Sequence, residues 1–214
     1  MSSSFYKYGY PHLCEKCKEI NGTKILLNVE PYFQKGNNFK LMLIGQDPTI
    51  RRKKSRVKNV LMLDEPNGRI ATWLKSIFGK NKLNAITLYA TNCVKCTLEI
   101  QPSSSDNSFK FLNKYFRECK NYLLSEIANY KPSCVITLGE SAHRMFRNIL
   151  DDPNVVPEKI NQAFIGKFYK VKINNFNFDY SPCLHMQTYR VAETYGKNII
   201  YFKNGLNEYF KNNF

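Results

Sequence analysis

The sequence predicts an α/β fold, a single domain over residues 1–214 built on a central, mainly parallel four-stranded sheet flanked by helices. Two observations predict it. Short apolar runs recur at 40–45, 85–91 and 133–139, continuous rather than alternating, as in strands buried on both faces. Stretches with apolar residues three and four apart lie between and after them, which is the spacing of helices that cover a sheet. The chain is 43% hydrophobic and 14% aromatic, enough for a packed core and too much for wholesale disorder.

Residues 1–23 are polar and carry Cys14-x-x-Cys17, and "KLMLIG" (40–45) is the first buried strand. "RIATWLKSIFG" (69–79) places Ile70, Trp73, Leu74, Ile77 and Phe78 at helical spacing and closes on Gly79 as a C-cap. "AITLYAT" (85–91) is the second strand, and "PSSSDNS" (102–108) a loop. Residues 109–130 form a long amphipathic helix, ended by Lys131-Pro132. "SCVITLG" (133–139) is the third strand and 140–150 the helix after it. Residues 167–185 alternate around an Asn-Asn turn and read as a hairpin, and the tail ends in a helix.

Lys and Arg number 32 against 17 Asp and Glu, a net charge of +15, which points to a polyanionic partner. No apolar run approaches the roughly 20 residues that span a bilayer. The N-terminus lacks the apolar stretch of a signal peptide. The expected setting is therefore intracellular, cytoplasmic or nucleoid-associated, with no membrane partner. Disulfides are rare there, so the seven cysteines read as buried apolar residues or metal ligands.

In such a sheet, ligands bind beyond the C-terminal strand ends. The tips to inspect are 45–48, 91–96, 139–140 and 182–187. The first offers Gln46 and Asp47, where a carboxylate could orient or deprotonate water or simply cap a turn. The second offers Asn92, whose donor and acceptor can pair with the edge of a base. The last offers His185, an imidazole able to stabilise a departing anion. Each is ordinary alone. Together, on a basic chain, they are equipment for cleaving a neutral base from its sugar, after the base has been flipped from any duplex.

These segments resemble the uracil-DNA glycosylase superfamily. "IGQDP" is similar to its first active-site motif in the branch that uses Gln and Asp. "LYATNCVKC" is similar to a strand and tip of the iron–sulfur branch, "KPSCVITLGESA" to the next strand and helix, and "SPCLH" falls where the second motif belongs. The resemblance implies a uracil-DNA glycosylase-like fold and a monofunctional DNA repair hydrolase acting as a monomer on DNA. Asp47 would activate water, Gln46 and Asn92 would contact the base, and His185 would stabilise its O2. Three departures stand out. Thr49-Ile50 follows Pro48 where that branch has Tyr-His, Leu61, Met62 and Leu63 stand where an aromatic ring usually stacks on uracil, and Met186-Gln187 follows His185.

By spacing, four cysteines suit zinc or a 4Fe–4S cluster equally. The resemblance favours the cluster, on Cys14, Cys17, Cys96 and Cys119, with Cys93 a rival for Cys96 and Cys134 a core residue. The run 51–58 carries six Lys or Arg. Arg51, Arg52, Lys53 and Lys54 read as phosphate contacts, with a solvated loop as the alternative. Arg190 or Tyr189 would fill the gap left by a flipped base. Two other readings remain: a glycosylase-like module that binds DNA without cutting it, and a zinc-dependent nucleic-acid-binding protein.

Overall fold

The computed structural model describes residues 7–11, 25–37, 39–48, 58–98, 102, 107–185 and 192–213. The elements are β1 (Ile25–Asn28), β2 (Tyr32–Gln34), β3 (Lys40–Gly45), α1 (Arg69–Ala85), β4 (Thr87–Asn92), β5 (Cys96–Leu98), α2 (Ser108–Tyr130), β6 (Cys134–Leu138), α3 (Glu140–Arg147), α4 (Ile160–Ala163), β7 (Tyr169–Ile173), β8 (Phe176–Cys183) and α5 (Ala192–Asn213).

The main sheet has six strands in the order β2-β4-β3-β6-β8-β7, which corrects the expected four. The four central strands, β4, β3, β6 and β8, are mutually parallel, and β2 and β7 add an antiparallel edge on either side. Three-residue β2 is too short and too evenly half-buried to leave a periodic signal. A separate pair, β1 with β5, joins the N-terminal region to the segment after β4, with Asn28 opposite Cys96.

β3 shows why its sequence is continuously apolar. Leu41, Met42, Leu43 and Ile44 are all fully buried, Met42 and Ile44 in one core layer and Leu41 and Leu43 in the other. The first layer lies under α2 and α3 and includes Tyr89, Leu123, Ile127, Val135, Phe146 and Tyr180. The second lies under α1 and α5 and includes Trp73, Leu74, Phe78, Ile136, Phe202 and Phe210. From β3 the chain crosses through α1 to β4, then through α2 on the opposite face to β6 on the other side of β3. The tip of β3 is therefore the switch point of a doubly wound sheet.

Gly79, with φ 69° and ψ 159°, kinks α1 instead of closing it as a C-cap, since the helix runs on to Ala85. The other punctuation residues act as expected. Lys131 closes α2 in the left-handed region at φ 52°. Asn174 and Asn175, with φ 48° and 64°, make the two-residue turn between β7 and β8. Among the described residues, no helix is long and apolar enough to cross a membrane.

Candidate active site

The C-terminal ends of the four parallel strands form one row. Asn92 ends β4 and sits in register with Gly45, which ends β3. Space dictates that glycine: a Cβ at Gly45 would lie 2.3 Å from Asn92 Oδ1 and 2.9 Å from Leu61 Cδ2. The missing side chain lets the Asn92 amide lie across the end of β3. Asn92 is 1% exposed, and neither Oδ1 nor Nδ2 has a hydrogen-bond partner among the described residues. A buried amide with donor and acceptor both unspent costs stability until a ligand completes it.

Asp47, two residues past Gly45, is buried as well, and Gln46 between them is half-buried. Backbone bonds join the two tips: Cys93 N–H donates to Gly45 O and Val94 N–H to Gln46 O, both at 2.9 Å. The Cys93 thiol is pushed up to about 12, first by burial, with Glu126 and Asp47 adding to it and Lys95 opposing. It stays protonated, and its S–H donates to Ala142 O at 3.8 Å.

The other half of the row is more open. Gly139 follows β6 and caps α3 with φ 98° and ψ 160°, and its N–H donates to Cys183 O at 2.7 Å. A Cβ at Gly139 would stand 3.4 Å from the Cβ of His185, which is exposed. The sheet thus brings amide, acid and imidazole to one edge, in the order Asn92, Asp47, His185. The Gly139 tip stands between the last two.

Two polar networks lie beneath this row, and sequence reasoning named neither. Under Asn92, fully buried Lys95 and Glu126 form an ion pair. Lys95 Nζ also donates to Thr91 Oγ1 at 2.7 Å and Asn92 O at 2.6 Å. Glu126 Oε1 accepts from the Tyr89 hydroxyl at 2.6 Å and from Thr91 at 2.8 Å. Burial, reinforced by that carboxylate, holds the Tyr89 phenol far above its usual range. The Tyr10 ring lies 5.1 Å from Lys95 Nζ, and its hydroxyl donates to Lys95 O. Under the second half, buried His143 joins its Nδ1 to the Tyr180 hydroxyl at 2.7 Å and its Nε2 to Pro157 O at 2.9 Å. Thr137 Oγ1 lies 2.8 Å from the same hydroxyl.

The first network left a trace in the sequence. Glu126 falls on the apolar stripe of α2 with Leu123, Ile127 and Tyr130, and Lys95 lies in a tip whose neighbours are buried. A charge on an apolar stripe needs a partner, and that is the signal that finds such a pair.

Leu61 and Met62, at φ 62° and 51°, are consecutive non-glycine residues in the left-handed region. Each costs about 1–3 kcal/mol, and together they turn the chain so that Leu61 packs over Gly45. Cys96 opens β5 and Cys119 lies in α2, both buried, with Lys95 N–H donating to Cys119 Sγ at 3.4 Å. Such a bond suits a metal-bound thiolate. Cys134 and Cys183 are core residues whose thiols burial pushes well up. Among the described residues, no group of three or more His, Cys, Asp or Glu is arranged to hold a metal. Cys14, Cys17, Thr49, Ile50, Arg51, Arg52, Lys53, Lys54, Met186, Gln187, Tyr189 and Arg190 lie outside the described residues.

A doubly wound α/β domain with an unspent amide and a buried acid at its switch point is built to bind a ligand. Residues 33–202 match the family model of the uracil DNA glycosylase superfamily, and the chain belongs to that superfamily. Its proteins act on DNA, and membership suggests a uracil-DNA glycosylase-like function. No curated protein matches the chain.

Proposed function

We propose that this chain is a monofunctional DNA glycosylase that hydrolyses the N-glycosidic bond of uracil, or of a related deaminated base, in DNA. The observation that carries this reading is the buried, unspent Asn92 amide in register with Gly45, beside the tip that bears Asp47. The amide offers a donor and an acceptor to a base edge, and Gln46 adds a contact from its side chain or N–H. Asp47 orients water toward the anomeric carbon and takes its proton as the water oxygen bonds to that carbon. The bond to the base nitrogen breaks, and the base leaves as an anion that His185 stabilises. Leu61 supplies an aliphatic wall in place of a stacked ring. Lys95 is the lysine within the Asn92 tip, but its ammonium is spent on three acceptors, which argues against a Schiff base and a lyase step.

The reading includes a 4Fe–4S cluster on Cys14, Cys17, Cys96 and Cys119, with zinc as the alternative. The bond from Lys95 N–H to Cys119 Sγ supports it, as do the ties flanking the N-terminal pair, Tyr10 to Lys95 before it and β1 to β5 after it. When bound, the cluster serves as a structural pin. Iron and sulfide analysis of anaerobically purified protein tests it, and stoichiometric zinc without iron would sink it. Arg51, Arg52, Lys53 and Lys54 are proposed to contact phosphates, and Arg190 to fill the gap left by the flipped base. Neutralising the four together should flatten the log–log salt dependence of duplex binding by about 0.9 per lost phosphate contact.

The deciding experiment incubates the protein with single- and double-stranded oligonucleotides containing uracil, hypoxanthine, xanthine or a T·G mismatch and looks for alkali-labile abasic sites. Release from at least one is expected, and Asp47→Asn should remove most of it while keeping DNA binding. The absence of a stacking aromatic at Leu61 and Met62 favours a second reading, a module that binds DNA without cutting it. Binding with no release from any substrate would select that reading.

A further inference from the structure

Removing two charges from water in a protein interior is costly, and apolar side chains of similar volume often serve stability as well or better. The Lys95–Glu126 pair is fully buried. Its arrangement therefore calls for a reason beyond stability. Lys95 directs all three ammonium donors: one to Glu126, one to Thr91 Oγ1 and one to the carbonyl of Asn92 itself. Thr91 returns its own proton to Glu126, and Tyr89 adds another. Tyr89 and Thr91 are alternate positions on the α2 face of β4, Asn92 ends the strand, Lys95 follows in the turn, and Glu126 stands on the helix that covers them. The ion pair thus closes a loop around the backbone that carries Asn92. The same turn is stitched to the acid-bearing tip through Cys93 N–H and Val94 N–H.

We propose that Lys95 and Glu126 are a positioning pair: their buried ion pair holds the 92–95 turn so that the Asn92 amide and the Gln46–Asp47 tip keep one fixed relative placement. This rests on the proposed glycosylase reading for its catalytic consequence, and on the geometry alone for its mechanical one. Neither residue touches the base; both act through Asn92.

The informative variant is the double one, Lys95→Met with Glu126→Leu, because it removes both charges and leaves neither orphaned. Glu126→Gln is made beside it, keeping the volume and an acceptor for Lys95. Two readouts are taken. In single-turnover assays at saturating enzyme, the folded double variant should release base about 10²-fold more slowly than the parent, with DNA affinity unchanged and Glu126→Gln recovering part of the loss. In native-state hydrogen exchange, the amides of Cys93 and Val94 should lose protection by about tenfold or more while those of β6 keep theirs. Parental turnover and unaltered protection in the double variant would overturn the proposal. If the parent protein releases no base, the glycosylase reading fails and the exchange measurement decides this one alone, by the same two outcomes. Should the double variant not fold, Glu126→Gln carries both readouts. If neither folds, the pair is a stability element and the positioning role falls.

Discussion

The two halves of the strand-tip row are built differently. At Asn92 and Asp47 the polar groups are buried, packed against a glycine too crowded for a Cβ, and backed by an ion pair. At Gly139 and His185 the imidazole is exposed, the glycine is required by its φ more than by its neighbours, and the network beneath is neutral. The first half is organised before a ligand arrives. The second can adjust to one. In the proposed reaction this is a sensible division, since base recognition needs fixed geometry and a departing anion needs a group still in contact with water.

The largest expected effect tests the ionic side. Lys95→Met alone leaves Glu126 buried and unpaired, and should cost about 3–5 kcal/mol of stability in denaturant unfolding. A loss below 1 kcal/mol would mean that water reaches the pair. Next, Gly45→Ala drives a methyl group onto Asn92 Oδ1, so base release should fall about 10²-fold while oligonucleotide affinity holds. Gly139→Ala meets only an ordinary contact with His185 but a φ of 98°, so it should cost about 1–3 kcal/mol of stability and leave more activity than Gly45→Ala. The reverse ranking of the two glycine variants in base release would erase the contrast between the halves.

The smallest effect is a pH dependence. Burial, opposed by the Pro157 and Glu158 backbones and aided by Arg147 and Arg144, lowers the pKa of His143 below its ordinary 6.5. The unfolded chain then takes up a proton at a pH where the folded one does not. Stability from this group is complete above about pH 6.5 and is lost as pH falls from there toward the lower folded value. Thermal unfolding between pH 7 and pH 5 should show the decline, and His143→Gln should flatten it. An identical slope in that variant would place the titration elsewhere.

The parallel core was legible in the sequence because each of its first three strands is a continuous apolar run, which only a doubly covered sheet explains. The tips followed from topology, and Asp47, Asn92 and His185 do stand on one edge. The β7 edge was legible as half of the hairpin around Asn174-Asn175, but the β2 edge and the separate β1–β5 pair were not. β2 has three residues, and β1 and β5 pair across a long separation that no local period encodes. The two buried networks were missed for a related reason. Glu126, Lys95 and His143 each read as a lone polar residue until folding brings their partners in from other elements.

Trp73 is the chain's one tryptophan, buried at 6% in the layer beneath α1 and α5. The opposite layer holds Tyr8, Tyr89, Tyr130 and Tyr180 and no tryptophan. The one indole and the buried tyrosines of the two layers therefore lie on different faces, with the partly buried Tyr32 and Tyr209 on the indole side. Indole fluorescence reports the α1 and α5 side, while the near-ultraviolet dichroism of the tyrosines weighs the side that backs the strand tips. A denaturation followed by both signals asks, without any label, whether the two layers come apart together.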